Sequence, residues 1–600
     1  VGRIVVVSDE PEKYPSPAIF PAGTAIEHRD RLDAVQKELR EVPGVTILIY
    51  DQTCAAEKRR RRKRKLMVDP PKRAFINELV CEGCGDCSAK SNCLSVEPME
   101  TEFGRKRQIN QSSCNKDFSC VEGFCPSFVT LEGDVKLKSR AVNGAAEADL
   151  SVPDPVLPEL GADSFNIVIT GIGGTGVTSI GAILGTAAHI EGKSATVLDM
   201  MGLAQKGGGV TSFVRVAGER VRIHGPRVAT AHADLLLACD MVVAAKPDTI
   251  DTTHPEKTRA IVNADLVPTA AFIKNNAVDF DTRAMTARIR KAVKETHGLE
   301  AEEIALRLLG DTLFANMLLT GYAYQMGALP IAGAAIAEAI RLNGAEVKKN
   351  LRAFDLGRLA AHDLPRVRRM AGLGTEAARP LAKTFDEIVA VRADFLTRYQ
   401  NAAWAKAYRD VVERARAVEK SHAPGRDGYA LAVAKGLFKL MSYKDEYEVA
   451  RLYTDGSFEK SIADTFEGDF TIKVHLAAPM LSATDPGTGH LKKVTYGPWM
   501  LRAMRVLAKL KSLRGTALDP FGKTAERRLE RRMIADYKAL IARLNGTLDA
   551  ATHANAVALA ELPLQVKGYG HIKEAAYERA KAREAELLAA LDAPLRAAAE

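Results

Sequence analysis

Residues 67–135 limit the fold of this chain more than any other stretch. Seven of its nine cysteines fall between Cys81 and Cys125, among Gly, Ser, Asn and charged residues with little apolar periodicity. A segment of that composition cannot bury an ordinary core and needs covalent or metal cross-links. The spacing is Cys81-x2-Cys84-x2-Cys87-x5-Cys93, then Cys114-x5-Cys120-x4-Cys125-Pro126. Three thiolates spaced by two residues wrap one loop around a cubane, each reaching a different iron, and the fourth iron takes a remote cysteine that precedes proline. The spacing therefore predicts one [4Fe–4S] cluster held by Cys81, Cys84, Cys87 and Cys125. Cys93, Cys114 and Cys120 bring only three thiolates to a second site, so a three-cysteine cluster, a non-cysteine fourth ligand and structural thiols all stay open. Zinc fits less well, because its structural sites pair two separate C-x2-C knuckles, often with His, and residues 81–125 contain no His. A disulfide framework would need a secreted chain. Cys54 and Cys239 stand apart and are expected to be buried core thiols.

A second motif follows an apolar run. Phe165–Thr170 reads as a strand that enters Gly171-Ile172-Gly173-Gly174-Thr175-Gly176 and then a helix over 178–190. Asp199 ends the next predicted strand, 23 residues past Gly176. Strand, G-x-G-x-x-G, helix and a later acid form a dinucleotide fingerprint, with amides and a helix dipole facing phosphate. The same glycines also serve close helix–strand packing without a ligand. A second glycine turn, Gln205-Lys206-Gly207-Gly208-Gly209, places Lys206 and backbone amides where an anion could sit.

The remaining pattern is multidomain α/β. Six hundred residues suggest three to five domains. Hydrophobic and charged shares of 46% and 26% are ordinary for a globular chain. No run of 18 apolar residues exists, so no transmembrane helix is expected. The first residues lack a signal-peptide cleavage site, which points to the cytoplasm; beginning at Val1, the chain reads as part of something longer. Residues 1–66 look like the end of a larger α/β domain: a strand over 3–8, a helix within 28–41 and a strand over 45–50. Residues 67–140 are the cysteine segment, and 141–162 a proline-rich linker. Residues 163–375 are α/β again, with strands over 195–199, 211–216, 235–237 and 241–245 and helices over 308–327 and 332–342, the latter closed by Asn343-Gly344. Residues 376–600 are mainly helical, with one helix over 524–544 ended by Asn545-Gly546.

Charge is as localised as cysteine. The net charge is +9, and residues 58–65 (KRRRRKRK) carry eight of those charges. A chain-wide nucleic-acid coat is thereby excluded, although a nucleic-acid-binding iron–sulfur protein using this one run is an alternative. Charge runs are usually solvated helix faces. This one lies sixteen residues before Cys81, where Arg60, Arg62 and Arg64 would suit docking of an acidic electron-transfer partner such as ferredoxin.

These stretches together resemble a known family. DQTCAAEKRRRRKRK, FINELVCEGCGDCSAKSNCLSVEP and QSSCNKDFSCVEGFCPSF are similar to the fused, long form of indolepyruvate ferredoxin oxidoreductase, of the thiamine-dependent 2-oxoacid:ferredoxin oxidoreductases. GIGGTGV, AQKGGGVTSFVRV and ANMLLTGYAYQMGALP resemble that family's gamma domain, and 376–600 its C-terminal extension. The resemblance implies a thiamine-type end at 1–66, a ferredoxin-like segment, a Rossmann-like gamma domain at 163–375 and a helical tail. It implies oxidative decarboxylation of an aryl-2-oxoacid with CoA to an arylacetyl-CoA and CO2, electrons leaving through iron–sulfur to ferredoxin, in a homo-oligomer. The Gly-Asp-Gly…Asn motif that completes the thiamine diphosphate and Mg2+ site is absent from 1–66. Upstream sequence or a partner chain is therefore expected to supply it. In this setting Gly171, Gly173, Gly174 and Gly176, with Lys206, are expected to face thiamine or CoA; NAD(P) or flavin there is the alternative.

Overall fold

The valine run at the start of the chain becomes the centre of a small sheet. β1 (Arg3–Ser8) lies between β2 (Ala25–His28) and β3 (Thr46–Asp51), all parallel. Val5, Val6 and Val7 are fully buried, as the middle strand of a parallel sheet requires. α1 (Leu32–Arg40) sets Val35 and Leu39 against this core. Ile47 and Ile49 of β3 stay 37% and 38% exposed. One short helix does not cover both faces of the sheet. In the computed structural model, residues 1–600 are described except 139–147, 203–207, 219–220, 222, 267–271, 273–277, 279–280, 374–380, 478–481, 485–489 and 598–600. The chain divides into two units, 1–70 with 115–117, and 71–114 with 118–600.

The basic run closes the first unit as α2 (Ala55–Lys63). Glu57 occupies the first turn and the cations the last, the arrangement a helix dipole favours. Lys58 pairs with Asp9 at 2.5 Å, and Glu57 pairs with Arg60 and Arg61. Cys54, expected to be buried, is exposed just before this helix: nothing apolar in the polar run that follows can cover it.

In the second unit the cysteine segment shares its sheet with a distant part of the chain. β4 (Lys72–Ile76) pairs with β7 (Phe128–Gly133), β5 (Val96–Thr101) forms a hairpin with β6 (Gly104–Ile109), and a short helix, α3 (Asp86–Ser91), follows the first cysteines. β8 (Lys136–Leu137) then pairs with Phe466–Glu467. Phe470–Leu476 pairs with the other edge of β7, and Val494–Tyr496 extends the sheet. The region expected to be mainly helical thus donates strands. Phe128, Val129 and Leu131 of β7 are buried, so this strand needs a neighbour on each edge. Val80, Val129 and Leu131 sit in one core with Tyr399, Tyr429 and Leu437 of the surrounding helices.

Residues 165–299 form a six-stranded sheet. Its strands are β9 (Phe165–Ile172), β10 (Ser194–Met201), β11 (Gly209–Ala217), β12 (Leu235–Ala238), β13 (Arg259–Asn263) and β14 (Glu295–Leu299), with α4 (Val177–Ile190) after β9. The order is β10-β11-β9-β12-β13-β14. β9, β12, β13 and β14 are parallel, and β11 is antiparallel to both β9 and β10. The strand expected over 241–245 is instead a short helix, α5 (Met241–Ala244), because Asp240 accepts the Val243 amide at 2.7 Å and caps it. The helix Gly333–Asn343 ends at Gly344 in the left-handed region, as expected. The helix begun at Thr524 runs through Asn545-Gly546 to Thr547 instead of stopping.

The described part of the proline-rich stretch is neither helix nor strand, yet it is tied down. Leu150, Val152, Leu157 and Leu160 pack on the core of the six-stranded region. Arg358 donates to the Val152 carbonyl at 3.0 Å and to Asp154 at 2.8 Å.

Candidate functional site

The cysteine loop is built from its backbone outward. The Asn77 side chain accepts the Leu79 amide at 3.1 Å and donates to the Leu452 carbonyl at 2.9 Å, which bends the chain out of β4. Cys81 Sγ accepts the Gly83 amide at 3.3 Å. Cys87 lies in the first turn of α3, whose Asp86 accepts the Phe124 amide at 2.6 Å. Gly123 makes this contact feasible: a Cβ there would stand 3.0 Å from both Cα and N of Cys87. The 120–125 loop therefore lies directly on the 81–87 loop.

The four thiols of the predicted quartet come together. Burial, followed by Cys125 and Cys81, pushes the Cys84 thiol up to about 12. Burial, followed by Cys125, Cys81 and Cys84, raises Cys87 well above the ordinary thiol range. Thiols so placed do not ionise unaided, and a bound cation is what makes such ligands thiolates. No disulfide joins any of the nine cysteines. Among the described residues, no three His, Cys, Asp or Glu side chains gather as donors to a single ion. A mononuclear site needs its donors at one point, whereas a cubane places each cysteine on a different iron. Cys120 is buried beside Cys81 and Cys87, Cys93 packs against the same small core, and Cys114 is half-buried.

Residues invisible to the spacing argument complete the surroundings. Lys444 donates to the Val80 and Cys81 carbonyls at 3.3 and 3.2 Å, and Lys493 to the Val121 and Gly123 carbonyls, both at 2.7 Å. Tyr569 donates to the Val80 carbonyl and Tyr453 to the Pro126 carbonyl, each at 2.6 Å. These side chains lie more than three hundred residues further along the chain, so no local pattern announces them.

The glycine loop has the expected strand–turn–helix form. Gly174 and Gly176 adopt φ of +89° and +94°, which L side chains avoid. The Gly173 amide donates to the Gly208 carbonyl at 2.8 Å, so it is already occupied. Asn316 donates to the Thr175 carbonyl at 2.9 Å. A Cβ on Gly209 would stand 3.1 Å from Lys246 Nζ, which puts an ammonium against the second glycine turn. Lys206 lies outside the described residues.

The sheet order removes the dinucleotide geometry. Asp199 pairs with Ser212, and Ser212 with Ile169. The acid is thus two strands from β9, roughly 10 Å away at the usual strand spacing, and level with Ile169 rather than beyond the strand end. A dinucleotide fingerprint needs that acid on the neighbouring strand.

Three acids, Asp240 buried and Asp265 and Glu302 half-buried, stand at the carboxyl ends of the parallel strands instead. Burial pushes Asp240 and Asp265 up to about 6 and Glu302 up to about 8. Asp265 and Glu302 line a cavity of about 810 Å3 that also meets Arg107 and Gln108 of the β5–β6 hairpin.

Residues 166–360 match the family described as pyruvate ferredoxin/flavodoxin oxidoreductase, and 385–586 match a family of unknown function (DUF6537). The matched domain and the relatives that share it support placing residues 166–360 with the 2-oxoacid:ferredoxin oxidoreductases, a family of oxidoreductases. The chain is similar to the indolepyruvate oxidoreductase subunit IorB of Methanothermobacter thermautotrophicus, 28% identical over 32% of this chain and 94% of that subunit. The IorB subunit of Pyrococcus horikoshii is also 28% identical, over 33% of this chain and 97% of its own length. Among solved structures, pyruvate oxidoreductase subunit PORC of Thermotoga maritima aligns over 33% of this chain and 96% of its own, at 20% identity and a TM-score of 0.25.

Proposed function

We propose that this chain is the electron-exit and gamma part of a thiamine-dependent enzyme that oxidatively decarboxylates indolepyruvate or a related aryl-2-oxoacid with CoA. The observation that carries the reading is the apposition of Cys81, Cys84, Cys87 and Cys125 in a chain whose 166–360 region belongs to this oxidoreductase family. The four thiols suit a [4Fe–4S] cluster by number and mutual placement. Bound there, it would supply one-electron transfer toward ferredoxin. The chain's own residues hold the two loops together through Asp86 and Gly123, brace the second loop through Lys493, and exclude water by burying Cys81 and Cys87.

Residues 1–66 fit the end of a thiamine-binding α/β domain, and the named subunits among the relatives favour a partner chain that brings the rest. The exposed Arg60 and Arg64 of the basic run are the docking residues for ferredoxin. Arg62 is half-buried and gives one N–H to the Asn115 carbonyl at 2.7 Å, a structural duty.

Anaerobic reconstitution followed by iron and sulfide counting tests the cluster. About four irons per chain are expected with the quartet intact, and loss of most of them in Cys125→Ser; zinc without sulfide would overturn the reading. With thiamine diphosphate, Mg2+, CoA and indolepyruvate, the isolated chain should show no turnover. Complemented with its thiamine part, it should reduce ferredoxin with a salt dependence that flattens in Arg60→Glu and Arg64→Glu.

A further inference from the structure

Behind the cysteine loop lies a cavity of about 390 Å3 that the oxidoreductase reading does not use. Seven basic side chains line it, against two carboxylates, Glu82 and Glu102. Glu102 is taken by Arg392, and Arg105 pairs with Glu100. Glu82 is shared by Lys444, at 2.6 Å, and Lys439. Lys106, Lys435 and Lys567 have no carboxylate partner among the described residues. Lys106 is only 7% exposed and lines the same cavity as Lys444. Cationic side chains gathered in one low-dielectric cavity repel one another, and an anion bound among them relieves that repulsion.

Three phenylalanines also line the cavity. Phe103 and Phe438 stack with ring centres 5.2 Å apart, and Phe395 packs edge-on to both. Flat apolar walls with several convergent cations fit a ligand that is a ring at one end and multiply anionic at the other. Lysine ammoniums act as point charges toward phosphate oxygens, and the volume lies within the range of small-molecule sites.

We propose that this cavity binds a nucleotide-type polyanion, its phosphates held by Lys106, Lys435 and Lys567 and its ring set against Phe103. The site lies apart from the glycine loop.

ADP and inorganic pyrophosphate are the probes, titrated calorimetrically into the full chain at low salt. One ADP per chain is expected, displaced by pyrophosphate, with affinity lowered at least tenfold in Lys106→Met and in Lys567→Met. Lys567 is half-buried, so its variant keeps the test alive if Lys106→Met fails to fold. Photolabelling with 2-azido-ADP should mark peptides containing 101–106 or 435–439. Labelling at 171–176 instead, or unchanged affinity in a folded lysine variant, overturns the proposal. It is equally overturned if ADP does not bind while the lysine variants alter the visible spectrum of the reconstituted protein, for then the lysines serve the iron–sulfur group.

Discussion

His475 shows how one buried side chain turns pH into stability. It lies 6% exposed between the hydroxyls of Thr130 and Thr495, each 3.0 Å from a ring nitrogen. Burial, reinforced by Lys493 and Lys72, pushes it down to about 4. The unfolded chain takes up this proton near pH 6.5 and the folded chain only near 4, so the unfolded state binds more protons between those values. Stability is therefore fully present above pH 6.5 and falls as the pH drops to 4, by up to about 3 kcal/mol. Urea melts at pH 7 and pH 4.5 should show that loss, and His475→Gln should remove most of it; an equal pH dependence in both proteins would refute the assignment. The cysteine pattern was readable at this scale because its spacing is local. Lys444 and Lys493, which hold the loop carbonyls, were not, since nothing near either residue marks it.

Elements are held by partners that their own sequences do not contain. The helix Tyr429–Met441 starts after Gly428, which has no side chain to cap it. Glu419, from the preceding helix, accepts the Tyr429 and Ala430 amides at 2.6 and 3.0 Å and meets His553 Nε2 at 2.9 Å. Glu419→Ala leaves two helix amides and a buried histidine unsatisfied, and should cost about 1–3 kcal/mol in denaturant melts. A cost no larger than that of Glu413→Ala, on the exposed part of the same helix, would contradict this account. Helix and strand types followed from periodicity where runs were long, as in β9 and the helix closed by Gly344. Met241–Ala244 is the exception. The five apolar residues 241–245 suit strand or helix alike, and Asp240 decides.

At the scale of the molecule, the cysteine segment and the far C-terminal region form one folding unit rather than beads on a string. β7 has β4 on one edge and Phe470–Leu476 on the other, and its core is completed by helices from 385 onward. Residues 67–140 expressed alone should therefore stay unfolded by circular dichroism and retain no iron. Co-expression with 385–600 should restore both, and a folded, iron-bearing 67–140 fragment would disprove the dependence. Among the described residues, no helix is long and apolar enough to cross a membrane. What the amino-acid sequence determined by itself was local: the cysteine spacing, the glycine turn between β9 and α4, the basic helix and the apolar runs that become strands. All of these rest on contacts within a few residues. What only the tertiary structure decided was which runs became neighbours. It placed β11 between β9 and β10, which takes Asp199 away from the glycine loop, and brought lysines from beyond residue 430 around the cysteines. The reason is physical. Strand order and cavity walls depend on which apolar faces bury each other across hundreds of residues, and that choice leaves no periodic trace along the chain.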